Sequence, residues 1–123
     1  MTIAFWCVLV AGLLPYVVTV LYKTRGDFDN QHPRQWATTL SGWRARAHAA
    51  QQNSFEAFPF FAAAVLIAHA LHAPQATVDT WSLIFVGARI AYQAAYLANW
   101  ATLRSIIWVT GMICIVTIFL AGT

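Results

Sequence analysis

Apolar residues gather into four long runs, Ile3 to Tyr22, Phe55 to Leu71, Trp81 to Leu97 and Ser105 to Ala121. A helix needs roughly 20 apolar residues to cross a hydrocarbon core, with about 17 at the low end. The first run suffices alone, and the second and fourth reach that length with flanking residues. The third is interrupted by Arg89. The pattern predicts four spanning helices in one domain, residues 1–123, of the all-α class: an integral membrane four-helix bundle.

The polar positions inside these runs are also patterned. Arg46, Asn53, Glu56 and Phe60 stand seven, three and four residues apart. On a helix this spacing gathers them on one side, the polar three within an arc of roughly 80°. Pro59 removes a backbone donor and frees the carbonyl of Phe55, so a kink is expected just beyond Glu56. In the third run Arg89, Tyr92 and Tyr96 form a polar stripe. Gly87, Ala91 and Ala95 form a small-residue stripe at another angle, suited to close helix packing.

Composition agrees with a membrane setting. Apolar residues make up 60% of the chain and charged ones 9%, with a mean hydropathy of +0.61; soluble domains carry about a quarter charged residues. Between Tyr22 and Arg46 stand Lys23, Arg25, Arg34, Arg44 and Arg46, against Asp27 and Asp29. His72 to Thr80 has no Lys or Arg, and the third loop ends at Arg104. The positive-inside rule then places the first and third loops in the cytoplasm and both termini outside. No Lys or Arg precedes the first run, which fits a retained helix better than a signal peptide. The net charge of +3 belongs to this loop asymmetry and is not a nucleic-acid footprint.

Few residues carry candidate chemistry. A carboxylate at the depth of Glu56 is costly unless paired, protonated or facing a wet cavity. Arg89 is its expected partner, in a structural ion pair between helices that fixes packing. Tyr92 and Tyr96 suit either interfacial aromatics or ligand contacts. Arg44 reads as a lipid-headgroup anchor. Asp27, Asp29 and Asn30 read as turn and cap residues, and Cys7 and Cys114 as small apolar residues within helices. His69, His72 and Asp79 lack a supporting metal motif, so no metal is expected. There is no phosphate-binding glycine loop and no serine or cysteine triad.

The segment from Arg46 to Phe61 reads R-A-x-x-A-x-Q-N-x-x-E-x-x-P-x-F. It resembles the second-helix signature of the MAPEG family, the membrane-associated proteins in eicosanoid and glutathione metabolism. A second element, A-R-x-x-Y-x-x-x-Y followed by L-R-S, spans Ala88 to Ser105 and resembles that family's third helix and following loop. The DNQHPR and SGWRARA segments look most like its small bacterial branch, which implies a bacterial inner membrane. The resemblance covers nearly the whole chain.

That resemblance implies a homotrimer with glutathione as co-substrate between subunits near the cytoplasmic face. A lipophilic small molecule would enter from the membrane lipid. By position in the motif, Arg46, Gln51, Asn53 and Glu56 would hold the peptide and its charged ends, Tyr92 and Tyr96 would add hydroxyl contacts, and Lys23 or Arg25 would meet a carboxylate. Arg104 would stabilise the thiolate, the reactive form of the thiol, and Ser105 would donate a further hydrogen bond to it. The implied function is a glutathione-dependent transferase or peroxidase acting on lipophilic electrophiles. Several enzymatic relatives carry an arginine four residues before the asparagine, where this chain has Ala49. The family also contains a non-catalytic lipid-binding member, so the alternative is a membrane protein that binds lipid or partners through the same fold.

Overall fold

The computed structural model describes residues 1–24 and 26–123; Arg25, expected beside a glutathione carboxylate, lies outside the described residues. The fold is all-helical, with no strand among the described residues. Its elements are α1 (Ile3–Lys23), α2 (Pro33–Ala37), α3 (Gly42–Ala70), α4 (Gln75–Leu97) and α5 (Ala101–Leu120). Three of them, α1, α3 and α5, are long and apolar enough to cross a membrane.

α4 is as long as these three but more polar, and its polarity points inward. Its buried residues include Val78, Ser82, Phe85, Arg89 and Tyr92, a four-three alternation that marks one helical face. Leu83, Ile84 and Ile90 remain exposed. The interruption at Arg89 therefore sits on the internal face of α4. Its 23 residues span about 34 Å at 1.5 Å per residue.

Local chemistry explains the helix ends. Thr2 caps α1 by accepting the Phe5 N–H at 3.1 Å. Asp79 on α4 accepts the Ala4 N–H at 2.8 Å, joining the starts of α1 and α4, so these two helices begin at the same end of the molecule. α3 and α4 both end in Schellman turns. Ala73 N–H bonds to the Ala68 carbonyl and Trp100 N–H to the Ala95 carbonyl. The left-handed residues are His72 (φ 56°) and Asn99 (φ 61°), where glycine is usual. Pro59 lies inside α3, which continues unbroken to Ala70.

α1 packs on α3 and α4, α3 on α4 and α5, and α4 on α5. The larger core joins Cys7 and Ala11 of α1 to Ala57, Phe61 and Val65 of α3, Phe85 of α4 and Ile115 of α5. Phe61 and Phe85 stack with centroids 4.0 Å apart. A second core holds the loop after α1 in place: Trp36 of α2 stacks on Tyr22 and meets the edge of Phe28. Asp29 accepts the Gln31 and His32 N–H groups in a turn, as expected of it. Arg44, read from sequence as a headgroup anchor, instead clamps this loop. It donates to Asp27 and to the Tyr22 carbonyl, each at 2.8 Å, because α2 folds the chain back and brings both acceptors to it.

Candidate functional site

The signature residues of α3 divide between two faces. Asn53, Glu56 and Phe60 line a cavity of about 220 Å³ with Ala57, Trp108 and Met112, between α3 and α5. Gln51 lies two residues, or about 200° of helix, away from Asn53. It lines a larger cavity with Lys23 on the α1 side.

On the first face, alternating cations and rings link three helices. Arg89 is buried, and its Nη2 donates to Asn53 Oδ1 at 2.8 Å and to Ser54 Oγ at 3.3 Å. Its guanidinium lies 4.2 Å from the Tyr92 ring centroid. Tyr92 meets Tyr96 edge to face at 5.8 Å, and Arg104 lies 4.3 Å over the Tyr96 ring. The array runs Asn53, Arg89, Tyr92, Tyr96, Arg104, from α3 across α4 to α5.

The expected ion pair between Glu56 and Arg89 is absent. Arg89 turns inward to two neutral acceptors on α3, Asn53 and Ser54, while Glu56 is exposed and bonds to no described residue. Neutral acceptors and an aromatic face satisfy the buried cation without a second desolvated charge. Arg46 also departs from its expected place. Its Nε and Nη2 donate to the Leu97 carbonyl at 3.3 and 3.2 Å, closing the end of α4, where a cation meets the negative end of the helix dipole.

Two charges on this face stay uncommitted. Glu56 has no described partner, and Arg104 has only the Tyr96 ring. A half-buried guanidinium on an aromatic ring keeps its N–H donors for an anion. Ser105 does not share that freedom: its hydroxyl donates to the Ala101 carbonyl at 3.1 Å, within its own helix.

Ser54 and Gln93 were missing from the sequence reading. Gln93 is buried and donates to Ser54 Oγ at 2.9 Å, so Ser54 receives from both Gln93 and Arg89. The signal was present, since Arg89 and Gln93 stand four apart on one helical face. On the second face, Tyr22 donates to Gln51 Oε1 and His48 Nδ1 lies 3.2 Å from Tyr22 Oη. Neither Tyr22 nor His48 was expected there.

The model of the MAPEG family matches residues 3–123. No curated protein and no solved structure matches the chain. Three helices able to cross a bilayer, within a family of membrane proteins, make this an integral membrane protein.

Proposed function

We propose that this chain, which belongs to the MAPEG family, is a glutathione-dependent transferase or peroxidase acting on lipophilic electrophiles. The observation that carries the reading is Arg104, a guanidinium resting on Tyr96 with no carboxylate partner among the described residues, at the end of the array that starts at Asn53. A thiol of ordinary pKa, about 8.5, is mostly protonated at neutral pH. A fixed cation in a poorly hydrated site favours the ionised form, which is the nucleophile. The thiolate sulfur then bonds to the electrophilic carbon as the bond from that carbon to the leaving group breaks, and the leaving group departs with the electron pair. With a hydroperoxide, the sulfur attacks oxygen to release the alcohol, and a second glutathione closes the disulfide with loss of water.

In this reading Asn53 and Glu56 hold the peptide, with Glu56 accepting its ammonium group, and Tyr92 and Tyr96 wall the sulfur. Gln51, on the other face of α3, and Lys23, at the end of α1, reach the same ligand only across a subunit boundary, and Arg25 keeps its implied role beside a glutathione carboxylate. Ser105 joins the site by turning its hydroxyl from the Ala101 carbonyl. α4 crosses the bilayer as a fourth span, with its polar stripe inward and both termini outside the cytoplasm of a bacterial inner membrane. A homotrimer covers Glu56, an exposed carboxylate on a spanning helix, and also Gly87 and Ala91, which are exposed along α4. A non-catalytic lipid-binding role is the second reading, favoured by Ala49 and by the engagement of Arg46 with Leu97.

The test is calorimetric titration of the detergent-purified protein with glutathione, alongside a thiolate difference spectrum near neutral pH. Binding at millimolar glutathione or tighter is expected, together with a thiolate band that Arg104→Ala abolishes. Arg104→Ala should lower conjugation far more than binding, and Asn53→Ala should mainly weaken binding. Neither binding nor a band in the wild type would sink the enzyme reading and leave lipid binding in the lead.

A further inference from the structure

We propose that Arg89 is a positioning residue for the thiol ligand: it turns the side-chain amide of Asn53 so that the NH2 group, and not the carbonyl, faces the cavity between α3 and α5. The inference rests on the glutathione reading and assigns the polarity of one contact within it. A guanidinium carries only N–H donors, so the atom of Asn53 that it meets must be an acceptor. Arg89 Nη2 lies 2.8 Å from Asn53 Oδ1, which fixes the sense of the amide by chemistry. The opposite sense would set two donor groups against each other at that distance. Asn53 is half-buried and lines the cavity, and its Nδ2 donates to no described residue.

Arg89 can impose this sense because it is held independently of Asn53. It is 4% exposed, and its guanidinium lies 4.2 Å from the Tyr92 ring centroid. The same Nη2 donates to Ser54 Oγ at 3.3 Å, and Ser54 Oγ accepts from Gln93 Nε2 at 2.9 Å. Ser54 and Gln93 are both buried, so this support stands behind the amide and away from the ligand. Arg89 and Gln93 are one turn apart on α4, and Asn53 and Ser54 are adjacent on α3, so the two helices are pinned together beside the cavity. The cation also polarises the amide it holds, which strengthens the outward N–H donors.

The consequence is a defined pattern of recognition. Glu56 stands three residues after Asn53, on the same side of α3, and lines the same cavity. An ionised carboxylate only accepts, and the held amide only donates on its outward side. The cavity therefore presents one donor group and one acceptor group a turn apart. The ligand atom opposite Asn53 is an oxygen acceptor of the peptide, and the group opposite Glu56 is a donor. A free amide presents either end and admits ligands of either sense. Arg89 removes that ambiguity without touching the ligand.

The test is calorimetric titration with glutathione of the full-length protein in detergent, as wild type, Arg89→Met, Asn53→Ala and the double variant, with conjugation kinetics alongside. Released by Arg89→Met, the amide has two χ1 wells open to it on a helix and two amide senses. The competent arrangement then falls to about one quarter of the population, and Kd should rise about fourfold. In the Asn53→Ala background Arg89→Met should leave Kd unchanged, because no amide remains to be turned. The loss should fall on KM far more than on kcat, since the reacting sulfur lies by Arg104. Equal weakening in both backgrounds would mean that Arg89 is merely structural, overturning the inference and leaving the glutathione reading intact. Asn53→Asp keeps the test decisive if Arg89→Met folds poorly: it preserves the acceptor for Arg89 but replaces the outward donor with an acceptor. Its Kd should rise more than about tenfold, an acceptor then facing an acceptor. Unchanged or tighter binding by Asn53→Asp would overturn the inference, because the ligand would then present a donor there. Absence of glutathione binding by wild type would overturn the function and the inference together.

Discussion

Removal of Arg89 tests whether the interior of this membrane protein is organised by a neutral hydrogen-bond network or by an ion pair. Arg89→Met keeps most of the side-chain volume and deletes the charge. It removes the 2.8 Å bond to Asn53, the weaker 3.3 Å contact with Ser54 and the stacking on Tyr92. A hydrogen bond from a charged group contributes about 1.5–3 kcal/mol, and a desolvated cation over a ring about 2 kcal/mol. Against this, a buried guanidinium carries a desolvation penalty of several kcal/mol that methionine avoids. The net cost of the single change should be about 1–3 kcal/mol, with Ser54 still bonded to Gln93. The sharper quantity is the coupling in double-mutant cycles. Arg89→Met with Asn53→Ala should show a coupling of about 1.5–2 kcal/mol, since each change removes the same charged hydrogen bond. Arg89→Met with Glu56→Gln should be additive within about 0.5 kcal/mol. The assay is reversible unfolding in mixed micelles, followed by circular dichroism and by tryptophan fluorescence. A coupling above about 1.5 kcal/mol for Arg89 and Glu56, with none for Arg89 and Asn53, would refute the network and restore the ion pair.

The remaining predictions are independent of that network. A reporter fused at Thr123 that is active only outside the cytoplasm should work, and activity of a cytoplasm-only reporter there would reverse the orientation. Native mass spectrometry in mild detergents should give trimers; monomers in every detergent would remove the subunit boundary on which the proposed site depends. His72 holds a left-handed conformation at φ 56°, which costs a non-glycine residue roughly 1–2 kcal/mol. His72→Gly should therefore stabilise the protein by about 1 kcal/mol, and a fall in the melting temperature would show that the imidazole contributes more than its backbone conformation costs.

Much of this protein was legible in one dimension because hydropathy and helical period are local properties. The four apolar runs correspond to four long helices, and the three-residue spacing of Asn53 and Glu56 places both in one cavity. The two motifs identified the family that the match over residues 3–123 establishes. Helical period also separates Gln51 from Asn53, although the resemblance had grouped them in one site. What tertiary structure decided was the choice of partners. Arg89 bonds to Asn53 and Ser54 instead of Glu56, Arg46 to the Leu97 carbonyl, and Arg44 to Asp27 and the Tyr22 carbonyl. Backbone carbonyls leave no mark in a sequence, and long cationic side chains reach several acceptors at once. Which acceptor each reaches depends on how far the helices rotate and approach, and Phe61 on Phe85 and Trp36 on Tyr22 set that by packing across the fold.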